Sequence, residues 1–84
     1  MKKRKLLQKA LQRPNNLRFA EAKSLVEAFG FSLSRVTGSH HIYFHASVAE
    51  LVNLQNVAGK AKAYQIRQFL RIVERYNLTL GDEA

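Results

Sequence analysis

Two β-forming runs, separated by a stretch too short for anything but a tight turn, restrict the fold of this chain most. Phe31-Ser32-Leu33-Ser34-Arg35-Val36 alternates apolar and polar residues, as a half-buried strand does. Thr37-Gly38-Ser39 follows, and the run from His40 to His45 must then return antiparallel. That hairpin holds all three histidines and the densest β-forming stretch in the chain. It is the region in which chemistry is expected.

Helical patterns bracket the hairpin. Residues 17–29 place Phe19, Ala22, Leu25, Val26 and Phe29 on one face and Glu21, Lys23 and Glu27 on the other, with Asn16 as N-cap and Gly30 just past the end. Residues 63–77 carry a core stripe of Ile66, Phe69, Leu70, Val73 and Tyr76/Asn77, while Arg67, Arg71 and Arg75 recur on one flank. A shorter basic helix over 3–13 has the stripe Leu6, Leu7, Ala10 and Leu11, and Pro14-Asn15-Asn16 ends it. Between hairpin and last helix, residues 46–50 read as a polar connection. Leu51-Val52-Asn53-Leu54-Gln55 reads as a third strand, residues 56–62 as a Gly-containing, Lys-bearing loop, and residues 78–84 as a partly ordered tail. The order α-α-β-β-β-α predicts an α+β fold, a three-stranded antiparallel sheet with helices packed on one face. Its other face is left open or is covered by a partner.

At 84 residues the chain is one domain with a small core. It has no cysteine, so disulfides cannot staple it and nothing points to an oxidising compartment. No apolar run approaches the roughly 18 residues of a membrane span. Met-Lys-Lys-Arg-Lys begins like a signal peptide, but Gln8 and Lys9 interrupt the apolar core one would need. A cytoplasmic location is expected.

Charge narrows the function classes. The formal net charge is +8 and the pI about 10.3. Lys2, Lys3, Arg4, Lys5, Lys9 and Arg13 fall in the first 13 residues without an acid among them. Such an excess favours polyanions by releasing their counterions. The expected partner is nucleic acid, or an acidic protein that competes for the same surface. No RNP-type aromatic signature, KH-type GxxG loop or helix-turn-helix spacing is present. A basic loop and helix beside an open sheet is instead the general layout of double-stranded-RNA-binding domains.

Three histidines raise the idea of a metal. His40 and His41 are adjacent on a strand and point to opposite faces, while His41 and His45 share a face about 13 Å apart. No cysteine or nearby carboxylate supplements them, so neither structural zinc nor metal-assisted phosphodiester hydrolysis is expected, and no cofactor is implied. Metal-free RNA cleavage fits better. It needs a group to take the 2′-hydroxyl proton, a group to protonate the leaving oxygen, and cations for the phosphorane. Histidine titrates near neutrality and serves either proton role. If Ile42 and Phe44 face the core, His41 lies on the open face with Tyr43 and His45; if Tyr43 is the core residue, His40 is exposed instead. The alternation leaves this open.

The element Gly38-Ser39-His40-His41-Ile42-Tyr43, in its setting, resembles the HicA-type toxins, small mRNA interferases of type II toxin–antitoxin pairs. The likeness runs from about Leu17 to Leu78. It takes in Phe29-Gly30-Phe31, the arginine-bearing strand with Arg35, and the helix segment Tyr64-Gln65-Ile66-Arg67-Gln68-Phe69-Leu70. The resemblance implies a dsRBD-like fold over residues 17–84, preceded by a basic helical extension over 1–16. It implies an endoribonuclease acting on mRNA through His40, the family's more frequent position, or His41, and a HicB-type antitoxin protein covering the active surface. Gly38, Ser39, Arg35, Lys60 and Lys62 are the expected phosphate contacts. The chain departs from the family in its extension, in Gln55-Asn56-Val57 where many relatives have a proline and a histidine, and in Ala46 where a proline is usual. The other class of function these features allow is a non-catalytic RNA-binding module.

Overall fold

The computed structural model describes residues 2–81. In chain order it has α1 (Lys3–Gln12), a 3-10 turn (Pro14–Asn16), α2 (Phe19–Ala28), β1 (Ser32–Thr37), β2 (His40–His45), β3 (Val48–Val57), β4 (Lys60–Ala61) and α3 (Ala63–Arg75). The strands form one antiparallel meander in the order β1-β2-β3-β4. The α+β class holds, and the helix–meander–helix order is consistent with a double-stranded-RNA-binding plan. The sheet has four strands rather than three.

The extra strand comes from the stretch expected to be a loop. β3 does not stop at Gln55 but runs to Val57, and Ala58-Gly59 turns it back into Lys60-Ala61. Both turn residues have positive φ, 51° at Ala58 and 83° at Gly59, as a type I′ hairpin requires. Asn-Gly would have announced such a turn in the sequence; Ala-Gly does not. β3 also begins earlier than expected, because Val48 is buried and pairs with His45, leaving only Ala46-Ser47 as the connection.

The start of α2 differs too. Asn16 is not its N-cap but ends the 3-10 turn, and Arg18 occupies the cap position. Leu17 to Phe19 instead run extended against β4: Ala61 N–H donates to Leu17 O at 3.1 Å and Phe19 N–H to Gly59 O at 2.9 Å. Leu17 is fully buried, so it belongs to the core without belonging to the helix.

The core lies between the helices and one face of the sheet. Phe19, Ala22, Leu25 and Val26 from α2, with Phe29 at its C-cap, meet Tyr43, Val52 and Leu54 from the sheet and Ile66, Phe69 and Ile72 from α3. Phe69 stands edge-on to both Phe29 and Phe31, with centroids 5.6 Å apart in each pair. Gln65 is the one buried polar residue among those described, and its carboxamide oxygen accepts the Gln55 N–H at 2.7 Å. β1 departs from expectation. All six of its residues are exposed, Leu33 and Val36 included, because α2 and α3 pack over β3 and β4 and leave the outer strand uncovered.

The basic extension folds onto the same core. Leu6 and Ala10 of α1 are buried, and Lys9 Nζ binds both oxygens of Glu21 on α2, at 2.8 and 3.0 Å. The Glu21 carboxylate also accepts the Arg18 N–H at 3.0 Å, closing the first turn of α2. Beyond α3, Leu78 and Leu80 pack on the core and Gly81 N–H donates to Ala28 O at 3.3 Å, so this part of the expected tail is docked; residues 82–84 lie outside the described residues.

Two outcomes follow from this scaffold. A left-handed alanine costs more than a glycine there, so Ala58→Gly is expected to raise stability by about 0.5–1 kcal/mol. The denaturant midpoint should rise at unchanged slope, and a fall would contradict the turn. The Lys9 ammonium and the Arg18 N–H hold the Glu21 carboxyl below its ordinary value of 4.5. Its stabilisation is therefore complete above the unfolded value and drains away as pH falls through the folded one. Glu21→Gln should cost about 1 kcal/mol at pH 7. The gap from wild type should close in acid; a gap that stays constant to pH 3 would rule this linkage out.

Candidate nucleic-acid interface

Tyr43 decides which way each histidine points. It is fully buried, opposite Val52 and Leu33, so the helix-facing set on β2 is His41, Tyr43 and His45. The reading in which Ile42 and Phe44 face the core is overturned: both stand on the open face with His40, and Phe44 is 46% exposed. The Tyr43 hydroxyl has no hydrogen-bond partner among the described residues. Burial, and after it the Glu27 carboxylate, raises its pKa, so the phenol stays neutral.

On the open face the register builds two rows. Arg35, Ile42 and Asn53 form one; Thr37, His40 and Gln55 form the next. Arg35 is thus a diagonal neighbour of His40, about 8 Å away between Cα atoms. Asn53 is the other diagonal neighbour, and its carboxamide reaches His40 Nδ1, with Oδ1 at 3.3 Å and Nδ2 at 3.1 Å. Nδ1 is therefore engaged, while Nε2 has no partner among the described residues. If the amide donates to Nδ1, the proton sits on Nε2; if the amide oxygen accepts from Nδ1, Nε2 is the basic nitrogen. Either form leaves Nε2 as the working atom.

A third row adds cations. Lys60 pairs with Val57 and bridges to Arg18, which puts Lys60 and Arg18 on this same face. By sheet spacing Lys60 lies about 12 Å from His40. Arg18 was not singled out in the sequence. Its signal is absent there, because only the strand-like run of residues 17–19 brings it to the sheet. Lys62 follows β4 at the start of α3, and its ammonium sits 5.9 Å from the centre of the Tyr64 ring.

Gly38 and Ser39 form the two-residue β1–β2 turn, with Gly38 at φ 59° as the first residue of a type II′ turn needs. A Cβ at Gly38 would meet nothing within 4 Å, so the turn is open to an approaching group. The Ser39 carbonyl accepts from Asn56 N–H at 2.9 Å and from His41 Nδ1 at 3.3 Å. His41 leaves the turn on the helix side, its ring 4.5 Å from that of Phe19. His45 lies on that side as well, 5.0 Å from Phe31, with Nδ1 accepting the Ser47 N–H at 3.0 Å.

The structure therefore brings His40, Arg35 and Lys60 onto one face, with Gly38 and Ser39 at its end, and separates His41 from them by the thickness of the sheet. No group of three metal-ligating side chains converges among the described residues. No helix among them is long and apolar enough to cross a membrane. No protein-family model, curated protein or solved structure matches the chain.

The carboxamide that holds Nδ1 was legible only once the register was known. Asn53→Ala is expected to free the His40 ring, moving its ring-nitrogen resonances while His41 and His45 keep theirs. Unmoved His40 resonances would mean that Asn53 does not position it.

Proposed function

We propose that this protein is a metal-independent endoribonuclease that cleaves mRNA from its open sheet face. In this reading it is the toxin of a type II toxin–antitoxin pair and is held in check by a HicB-type antitoxin protein. The observation that carries the proposal is His40, clamped at Nδ1 by Asn53 and free at Nε2, on an uncovered face whose other charged groups are cationic. Nε2 takes the 2′-hydroxyl proton as the 2′-oxygen bonds to phosphorus. The bond from phosphorus to the 5′-oxygen breaks, and the same nitrogen returns the proton to that oxygen. Arg35 and Lys60 offset the charge that builds on the phosphorane, with Lys62 further along the same strand direction. Ser39 and the open turn at Gly38 supply donors at the edge of the face.

One observation favours a second reading, an RNA-binding module without catalysis. Among the described residues His40 is the only histidine on this face, since His41 and His45 lie on the helix side, so a single imidazole must serve both proton steps.

Long single-stranded RNA incubated with the protein in EDTA separates the two. Cleavage is expected to persist in chelator and to fall by about 10²–10⁴-fold in His40→Ala, while His41→Ala stays within a few fold of wild type. Loss in His41→Ala alone, or loss on chelation, would refute the assignment. RNA that shifts on a gel in a salt-dependent way but stays intact would establish the binding module.

A further inference from the structure

β3 has unequal neighbours. β2 pairs along most of its length, whereas β4 offers only Lys60 and Ala61 against Val57 and Asn56. β3 is ten residues long, so its outer edge continues from Gln55 back to Val48 with no strand beside it. Asn56 N–H donates to Ser39 O on the β2 side, and alternation then turns the main-chain groups of Gln55, Asn53 and Leu51 outward. Side chains cap both ends of this edge. Gln65 Oε1 takes the Gln55 N–H at 2.7 Å, and the Tyr76 hydroxyl takes the Ala49 N–H at 3.4 Å. Between the caps, the Leu51 and Asn53 amides have no outward partner among the described residues.

α3 runs beside that bare edge and walls a groove of about 350 Å³. Leu51, Val52 and Asn53 line it from the strand; Gln68, Phe69 and Arg71 line it from the helix. Leu51 is 57% exposed, a large apolar side chain with nothing over it. Arg71 makes no ion pair among the described residues, while Arg75 at the groove's end pairs with Glu50.

We propose that this groove takes an extended, acidic segment of a partner protein, which adds to β3 where β4 is too short to cover it. Such strand addition supplies main-chain hydrogen bonds from the edge and side-chain pockets from the flanking wall. The span from Ala49 to Gln55 is about 20 Å, enough for a strand of roughly five residues. Residues 78–81, which follow α3, do not fill the groove, since they turn away to α2. A second copy is a poor occupant, because each copy carries +8 and its uncovered strand β1 has Arg35 and no acid. Nucleic acid offers no ladder of amides and carbonyls to a strand edge. The inference does not depend on catalysis, but it meets the site at one residue: Asn53 holds His40 with its side chain and borders the groove with its main chain.

The test uses the whole ¹⁵N-labelled protein and a capped heptapeptide alternating Glu and Val. The peptide is expected to shift the Leu51 and Asn53 amide resonances and to slow their hydrogen exchange about tenfold or more. The same peptide with Lys for Glu, or N-methylated at alternate residues, should do neither. Arg71→Glu should weaken binding about tenfold. The proposal fails if the acidic peptide shifts only arginine-side resonances and leaves exchange at Leu51 and Asn53 unchanged. It fails equally if a twelve-nucleotide single-stranded RNA occupies the groove, shifting the same amides and displacing the peptide.

Discussion

A strand can present its side chains in only two ways, and the burial of Tyr43 chooses between them for β2. Ile42 and Phe44 are both more apolar, yet they lie outside. The reason is on the neighbouring strand: Val52 and Leu54 of β3 face the helices, and the register sets Tyr43 opposite Val52 and His41 opposite Leu54. Burying the ring is worth about 1.5–3 kcal/mol, and leaving its hydroxyl unpaired costs about 1–3 kcal/mol, so Tyr43 itself adds little net stability. What it sets is phase. With that phase fixed, His40 goes to the open face and His41 and His45 go under the helices, and the chemistry available to each follows.

The hairpin and all three helices were legible because they rest on local rules: a two-residue turn between alternating runs, and apolar residues at helical spacing. What was not legible depends on partners far away in sequence. Whether Ile42 or Tyr43 is inside cannot be read from β2, since either phase satisfies alternation. The fourth strand hid behind Ala58-Gly59, where alanine takes a backbone conformation that its side chain disfavours and a neighbouring strand segment, residues 17–19, holds the turn in place. The same pairing explains why Leu17 is core without being helical. In the candidate site, the cationic Arg35 and Lys60 and the turn residues Gly38 and Ser39 could be named in advance. Asn53 and Arg18 could not, because each becomes relevant only through cross-strand register.

Charge is divided between two sides of the molecule. α1 spends its apolar stripe on the core, Leu6 and Ala10 being buried, and is pinned to α2 by Lys9 and Glu21. Its remaining lysines are therefore presented from a fixed helix on the helical side, not from a loose arm. Arg18, Arg35 and Lys60 sit on the opposite side, around His40.

The four-stranded meander must also manage its edges, and it does so in three different ways. At β4, residues 17–19 bond along the strand and seal it. At β1, a bulge between Leu33 and Arg35 breaks the ladder and an arginine projects from the strand, both of which discourage edge-to-edge pairing. The outer edge of β3 is neither sealed nor blunted. Gln65 and Tyr76 cap its two ends and leave its middle bare beside a helix that carries Arg71. Capping only the ends limits the edge to a short, well-bounded strand, and the surrounding positive charge repels further copies of the same chain. An edge kept open in this bounded way selects by length and by charge, which is how a single groove can admit one kind of extended segment and still resist aggregation.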